Sequence, residues 1–343
     1  MHICQILGGN EEGGLENHVI SLCNRFCEQH QVSLVAHPKY ADRLDDRVNF
    51  IALPMHKGRR NLSLLWQLWR TLKKLNADLL HAHGNKAAAL LATVRKGLST
   101  PCIATVHSLK KKVWMFERMD GVIGVSQGVL GPVQHPAAQV IYNGVDPWQG
   151  EQYSASQLKQ EWQLAEDKPL CIAVGRLVAV KAYDLLIHAW QNQDASLAII
   201  GEGDLQPQLQ AQIDQLQLND RVKLIGFRDD VAKILPAADL LAISSEREGF
   251  SLVMVEALLA GTPLVSTRVP GCREVLPDNC LADCRDADGL AARLQQALQQ
   301  PDWLAQEYAP VFKMAQQQLT TDAMLNHTLD YYQQILKATG ARG

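Results

Sequence analysis

Short apolar runs recur along the chain, separated by stretches in which apolar positions return every three or four residues. The runs predict strands at residues 3–7, 32–36, 50–53, 78–83, 102–107, 122–125 and 140–142, then at 170–174, 197–200, 222–225, 240–244 and 264–266. The longer stretches predict helices, notably at residues 15–27, 62–75, 289–299 and 322–336. Strands alternating with helices imply α/β layers, and uninterrupted apolar strands imply parallel sheets covered on both faces. Residues 146–168 break the rhythm: they are polar, with Pro147, Gly150 and a Gln/Ser-rich helix, and read as a linker region. The chain therefore reads as two doubly wound domains, 1–165 and 166–319. Such domains bind ligands outside the carboxyl ends of their strands, which predicts a site in the cleft between them.

The segment 252–260, Leu-Val-Met-Val-Glu-Ala-Leu-Leu-Ala, is the most informative. It opens after Ser251, a good N-cap, and stops at Gly261-Thr262-Pro263, so it predicts a short buried helix. Its one charge, Glu256, is costly to bury alone and must meet something polar. Glu248 lies in the loop that feeds this helix. Two carboxylates, exposed amides and a helix N-terminus at one place suit an anion beside hydroxyl groups, that is, a nucleotide or a sugar phosphate.

Composition narrows the setting. The 343 residues are 47% hydrophobic and 20% charged, as in soluble globular proteins. No apolar run is long enough for a membrane span, and Met1 leads straight into a strand rather than a signal peptide. A cytoplasmic location is expected. The 8 cysteines contain no Cys-x-x-Cys and read as buried thiols. The net charge of −3 hides an asymmetry: residues 1–150 hold 17 Lys+Arg against 11 Asp+Glu, and between His56 and Lys112 twelve basic residues face only Asp78. That cluster invites an anionic partner.

Glu248 and Glu256 stand in a Glu-x7-Glu spacing within SSEREGFSLVMVEALLAGTPLVSTRVPG, residues 244–271. This stretch resembles glycosyltransferase family 4, whose retaining enzymes have the GT-B fold of two Rossmann-like domains facing a central cleft. The resemblance implies roles residue by residue. Glu256 would bind the donor ribose and Glu248 the sugar hydroxyls, while backbone amides around Gly249, Phe250, Ser251 and Leu252 complete donor capture. Gly175-Arg176…Lys181 follows the strand 170–174, and two cations there can flank a diphosphate. In the family these positions hold the donor phosphates and stabilise the departing nucleotide. The family places glycine after this lysine, whereas Ala182 stands here. The glycines 8, 9, 13 and 14 lie between the first strand and helix, and Gly14 matches the family's phosphate-contacting glycine. His107 matches the His of the family's Thr-x-His motif, which hydrogen-bonds the transferred sugar. Phe227 and Arg228 lie where the family positions the nucleotide base. The last helix, within residues 320–343, would cross back onto the first domain.

Other motifs read more plainly. His81 and His83 share one strand face but lack an apparent third ligand, so they read as core or cleft lining. Gly201-Glu202-Gly203 reads as a structural turn. Asp286-Ala287-Asp288 spells a metal-binding motif of other glycosyltransferases but precedes a helix, so it reads as an N-cap. No metal or other cofactor is expected. The helix 62–75 carries Trp66 and Trp69 beside Arg70, Lys73 and Lys74, and Lys110–Lys112 lead into Trp114. This suits either docking on an anionic membrane surface or core packing with a solvated basic edge. No nucleic-acid motif is present.

The expected activity is metal-independent, retaining hexosyl transfer from a nucleotide-diphosphate sugar, UDP favoured over GDP, to an acceptor hydroxyl. The basic face and aromatic residues of the first domain favour a lipid-linked glycan of lipopolysaccharide or capsule biosynthesis at the inner membrane, a soluble acceptor being the alternative. A nucleotide-sugar epimerase of related fold and a non-catalytic sugar-nucleotide-binding regulator are the competing readings.

Overall fold

A computed structural model describes residues 1–11, 13–109 and 111–340. Lys110, part of the basic segment above, and residues 341–343 lie outside the described residues. The chain divides into two compact units: unit 1 comprises 1–143 with 321–343, and unit 2 comprises 144–320. Residues 146–168 thus fall within unit 2, where they include the helix Ala155–Glu161 closed by a Ser154/Gln157 capping box.

Unit 1 holds seven strands: β1 (His2–Leu7), β2 (Gln31–Ala36), β3 (Asn49–Ala52), β4 (Leu79–His83), β5 (Cys102–Val106), β6 (Gly121–Gly124) and β7 (Ala138–Val140). They pair in parallel in the order β3-β2-β1-β4-β5-β6-β7. Unit 2 holds β8 (Leu170–Val174), β9 (Ser196–Ile200), β10 (Val222–Gly226), β11 (Leu240–Ile243), β12 (Leu264–Thr267) and β13 (Leu281–Ala282). Their order, β10-β9-β8-β11-β12-β13, repeats the winding of unit 1. β1, β4, β5, β8, β9 and β11 are almost wholly buried, which is why their sequences are continuous rather than alternating. The last strand of unit 1 lies at 138–140 rather than the expected 140–142: Pro136 precedes it, and the chain leaves the ladder after the Ile141 amide donates to the Gly124 carbonyl at 3.0 Å. β13, two residues long, carries no readable pattern.

The helix Thr321–Ala338 belongs to unit 1 and buries Tyr331, Tyr332, Ile335 and Leu336 in its core beside Leu7, Val19 and Ile103. A Cβ at Gly121 would lie 2.5 Å from the Tyr331 hydroxyl and 2.8 Å from Ile335, so glycine there lets the helix reach β6. Tyr331 donates to the Val122 and Ala137 carbonyls, tying the helix to the strand ends. No helix among the described residues is long and apolar enough to cross a membrane.

Candidate functional site

In both sheets the strand order reverses direction once, between β1 and β4 and between β8 and β11. Loops leaving adjacent strands at such a point diverge to opposite faces and leave a crevice at the carboxyl ends. In unit 2 that point collects the predicted charges. β8 is followed by Gly175, Arg176 and Lys181; β11 is followed by Ser244, Ser245 and Glu248. The Lys181 ammonium is ion-paired with a Glu248 oxygen, with side chains 23% and 11% exposed, and Ser245 Oγ donates to the same oxygen at 2.7 Å. Two further bonds lock the loops together: Ser244 Oγ to the Lys181 carbonyl (2.8 Å) and the Glu246 amide to the Val180 carbonyl (2.9 Å).

Ala182 adopts a left-handed backbone, φ 50 and ψ 45, at the start of the next helix. A glycine takes that conformation without steric cost, which accounts for the residue the family uses here. The turn survives the substitution and the lysine keeps its place. Arg176 is exposed, and its guanidinium has no ion-pair partner among the described residues. It lines a concavity of about 380 Å³ with Gly175, Gly201, Glu202, Phe227 and Arg228. Phe227 is 69% exposed, whereas Arg228 is engaged: its guanidinium makes two 2.8 Å bonds to Asp230 and one of 2.5 Å to Glu161. The pairing lowers the Asp230 carboxyl to about 2 and raises Arg228. Arg228 therefore braces this loop against the helix Ala155–Glu161 rather than offering a free cation. Gly201 and Gly203 are structural: a Cβ at either would lie 2.1 Å from the Gly175 carbonyl oxygen or 2.4 Å from that of Leu177.

The helix Leu252–Ala260 begins at Ser251, whose side chain makes no capping bond, so it does not occupy the first-turn amides. Phe250 is buried and closely approached by Gly271, so its ring anchors the loop before the helix. Glu256 is half-buried on this helix and lines a concavity of about 90 Å³ with Val145, Asp146, Trp148, Ala232 and Pro236. Burial raises its carboxyl above the ordinary value, and no ion pair or hydrogen bond to it is present among the described residues. The polar partner that the sequence demanded is thus not a neighbouring side chain. Trp148, 43% exposed with Lys233 over its ring, and Ser245 beside Glu248 are site features that pattern reading passed over; Ser245 stood within the motif itself.

Unit 1 carries the remaining candidates. Gly14 is the exposed first residue of the helix Gly14–Phe26. His107 lies just past β5, half-buried, with its Nε2 3.3 Å from His83 Nδ1 and its ring edge-on to His18 at 5.0 Å. A chain of buried bonds continues inward. Gln5 Oε1 accepts from His83 Nε2 (2.7 Å), Gln5 Nε2 donates to the Tyr332 hydroxyl (3.2 Å), and Tyr332 contacts His81 Nδ1 (2.6 Å), whose Nε2 meets Thr105 Oγ1 (2.7 Å). The Gln5 carbonyl can only accept, so His83 carries its proton on Nε2 and turns a lone pair on Nδ1 toward His107. Burial depresses all four imidazoles, His18 to about 4 and His81 to about 3, and keeps them neutral. Asp286 caps the helix Ala287–Gln299, accepting from the Gly289 amide at 2.9 Å.

Known proteins resemble this chain in sequence and in fold. A model of Glycosyltransferase Family 4 matches residues 12–149, and one of Glycosyl transferases group 1 matches residues 154–311. The chain is 27% identical over 265 residues to the N-acetyl-alpha-D-glucosaminyl L-malate synthase of Bacillus anthracis, covering 69% of this chain and 70% of that protein. It is 23% identical to the lipopolysaccharide core biosynthesis glycosyltransferase LpsE of Rhizobium meliloti, over 83% and 86% of the two chains. Among solved structures, Anabaena Alr3699/HepE in complex with UDP superposes with a TM-score of 0.85 at 22% identity, over 97% of this chain and all of that one. With both halves matched and two parallel-sheet α/β units of one winding, the chain belongs to the family 4 glycosyltransferases and has their GT-B fold.

Proposed function

We propose that this glycosyltransferase transfers a hexosyl-type sugar, with retention and without a metal, from a nucleotide diphosphate to an acceptor hydroxyl. The observation that carries the reading is the Lys181–Glu248 ion pair at the unit 2 switch point, with the unpaired Arg176 on the loop after β8. Arg176 and Lys181 supply two positive charges for a diphosphate. Glu248, oriented by Ser245 and Lys181, accepts from sugar hydroxyls, and Glu256 accepts from the ribose. The amides from Gly249 to Leu252 face the anion, Phe227 flanks the base, Gly14 gives the phosphate close backbone access, and His107 hydrogen-bonds the sugar.

In the step we assign, the bond from the anomeric carbon to the diphosphate oxygen breaks with its electrons going to phosphate. The acceptor oxygen bonds that carbon from the same face and gives its proton to the departing phosphate. Arg176 and Lys181 meet the charge as it develops, the kind of preorganised stabilisation that dominates many enzymes. UDP-sugars are favoured over GDP-sugars because UDP is the ligand named for the Anabaena protein.

We assign the acceptor to unit 1 and its class to lipid-linked glycans of lipopolysaccharide or capsule biosynthesis, in keeping with lipopolysaccharide core biosynthesis, the setting named for LpsE. The helix Leu62–Leu75 supports contact with an anionic inner-membrane surface. It buries Leu64, Leu68 and Leu72, yet leaves Leu62 80% and Trp66 56% exposed, with Arg70 over the Trp66 ring. Incubation with UDP-, GDP- and ADP-sugars tests the whole reading. Acceptor-dependent release of the nucleotide supports it; interconversion of the sugar indicates an epimerase, and binding without turnover a regulator, and either result discards it.

A further inference from the structure

Three imidazoles converge on unit 1. His18 comes from the helix Gly14–Phe26, His83 from the end of β4 and His107 from just past β5, and one nitrogen of each lies within 4.8 Å of the other two. The His81/His83 pair lacked a third ligand in the sequence. The fold supplies two and removes one, because both nitrogens of His81 are engaged by Tyr332 and Thr105.

We propose that His18, His83 and His107 form a binding site for a divalent transition-metal ion, zinc being the best fit, and that its occupation inhibits transfer by taking His107 away from the sugar. The inhibitory half rests on the role assigned to His107 above; the site itself does not.

Geometry carries the proposal. Zinc–imidazole bonds of about 2.0–2.1 Å at tetrahedral angles place two ligand nitrogens about 3.3 Å apart. His83 Nδ1 and His107 Nε2 stand at 3.3 Å. Metal-bound histidines characteristically donate their other N–H to a fixed oxygen, and His83 does so to Gln5 Oε1, which aims its lone pair at the cluster. Binding moves the His107 proton from Nε2 to Nδ1, so no net proton is released there. An all-nitrogen set suits zinc, cobalt, nickel or copper and disfavours magnesium or calcium, which seek oxygen. Three protein ligands leave a fourth position open.

The test uses the full chain, stripped with a chelator, dialysed and titrated with Co2+, whose visible bands report low-coordinate nitrogen ligation. One equivalent should bind with those bands and be displaced by Zn2+. The half-exposed His18→Gln should weaken binding about tenfold or more with an unchanged circular-dichroism spectrum. No stoichiometric Co2+ spectrum, or one that persists in both His18→Gln and His107→Gln, would overturn the site. If donor turnover has been found, Zn2+ should inhibit the native chain and fail to inhibit His18→Gln at the same concentration. Co2+ binding without inhibition would discard the inhibitory role. If no donor turns over, the spectra still decide the site.

Discussion

Lys181 and Glu248 lie 67 residues apart and meet as an ion pair at the carboxyl ends of adjacent parallel strands. In the proposed role, a diphosphate would meet an ammonium already neutralised by a carboxylate, whereas the exposed Arg176 guanidinium on the same loop has no ion-pair partner among the described residues. The two cations therefore should not respond alike to removal.

Arg176→Ala is expected to reduce kcat/KM about a hundredfold or more while stability changes by less than about 0.5 kcal/mol, since only a surface side chain is lost. Lys181→Ala should reduce turnover similarly but also destabilise unit 2 by about 1–3 kcal/mol, because it strands the mostly buried Glu248. Thermal melts beside steady-state rates check this; equal melting temperatures for the two variants would refute the asymmetry.

Glu256→Gln should separate binding from stability. Burial raises the folded-state carboxyl above the ordinary 4.5, so between those two values the folded chain binds more protons than the unfolded one. This contribution favours folding below 4.5 and is lost as pH rises through the folded value. The amide variant should accordingly melt higher than the native chain at pH 7, and the gain should vanish below pH 4.5. Its donor affinity should fall about tenfold or more, because a charged acceptor is gone. Calorimetric melts across pH and donor titrations measure both; a melting temperature that drops at pH 7 would contradict the account.

Tyr332→Phe removes the hydroxyl shared by His81 and Gln5 inside unit 1. Two buried polar groups lose a partner, at a cost of about 1–3 kcal/mol. In a unit of this size each kcal/mol lowers the midpoint by about 2–4 °C. An unchanged melt would mean the network contributes nothing.

Leu62→Ser with Trp66→Ala should weaken co-sedimentation with anionic vesicles about tenfold or more without lowering the melting temperature, since both side chains are largely exposed. Equal pelleting of native chain and variant would remove membrane docking from the proposal.

Much of the fold was legible because its central strands are buried on both faces and several helices are flanked by residues suited to end them. Residues 62–75 and 252–260 match the observed helices at both ends, where Asn61, Ser251 and Gly261 mark the limits. Two-residue β13 and the early end of β7 were not, since neither holds enough residues to show a period. Side-chain partnerships were legible only within a motif. The two glutamates stood close together in sequence, but the pairing of Glu248 with Lys181, the bond from Arg228 to Glu161, and the meeting of His18 with His83 and His107 all depend on which distant segments become neighbours.

The helix Thr321–Ala338 has a consequence for biosynthesis. Unit 1 begins at the amino terminus yet takes Tyr331 and Tyr332 into its core from residues translated after all of unit 2. During synthesis the earlier unit must wait, its groove for that helix open, while the later one can close as soon as it has left the ribosome. Stalling before residue 321 would therefore leave the first unit's apolar groove uncovered.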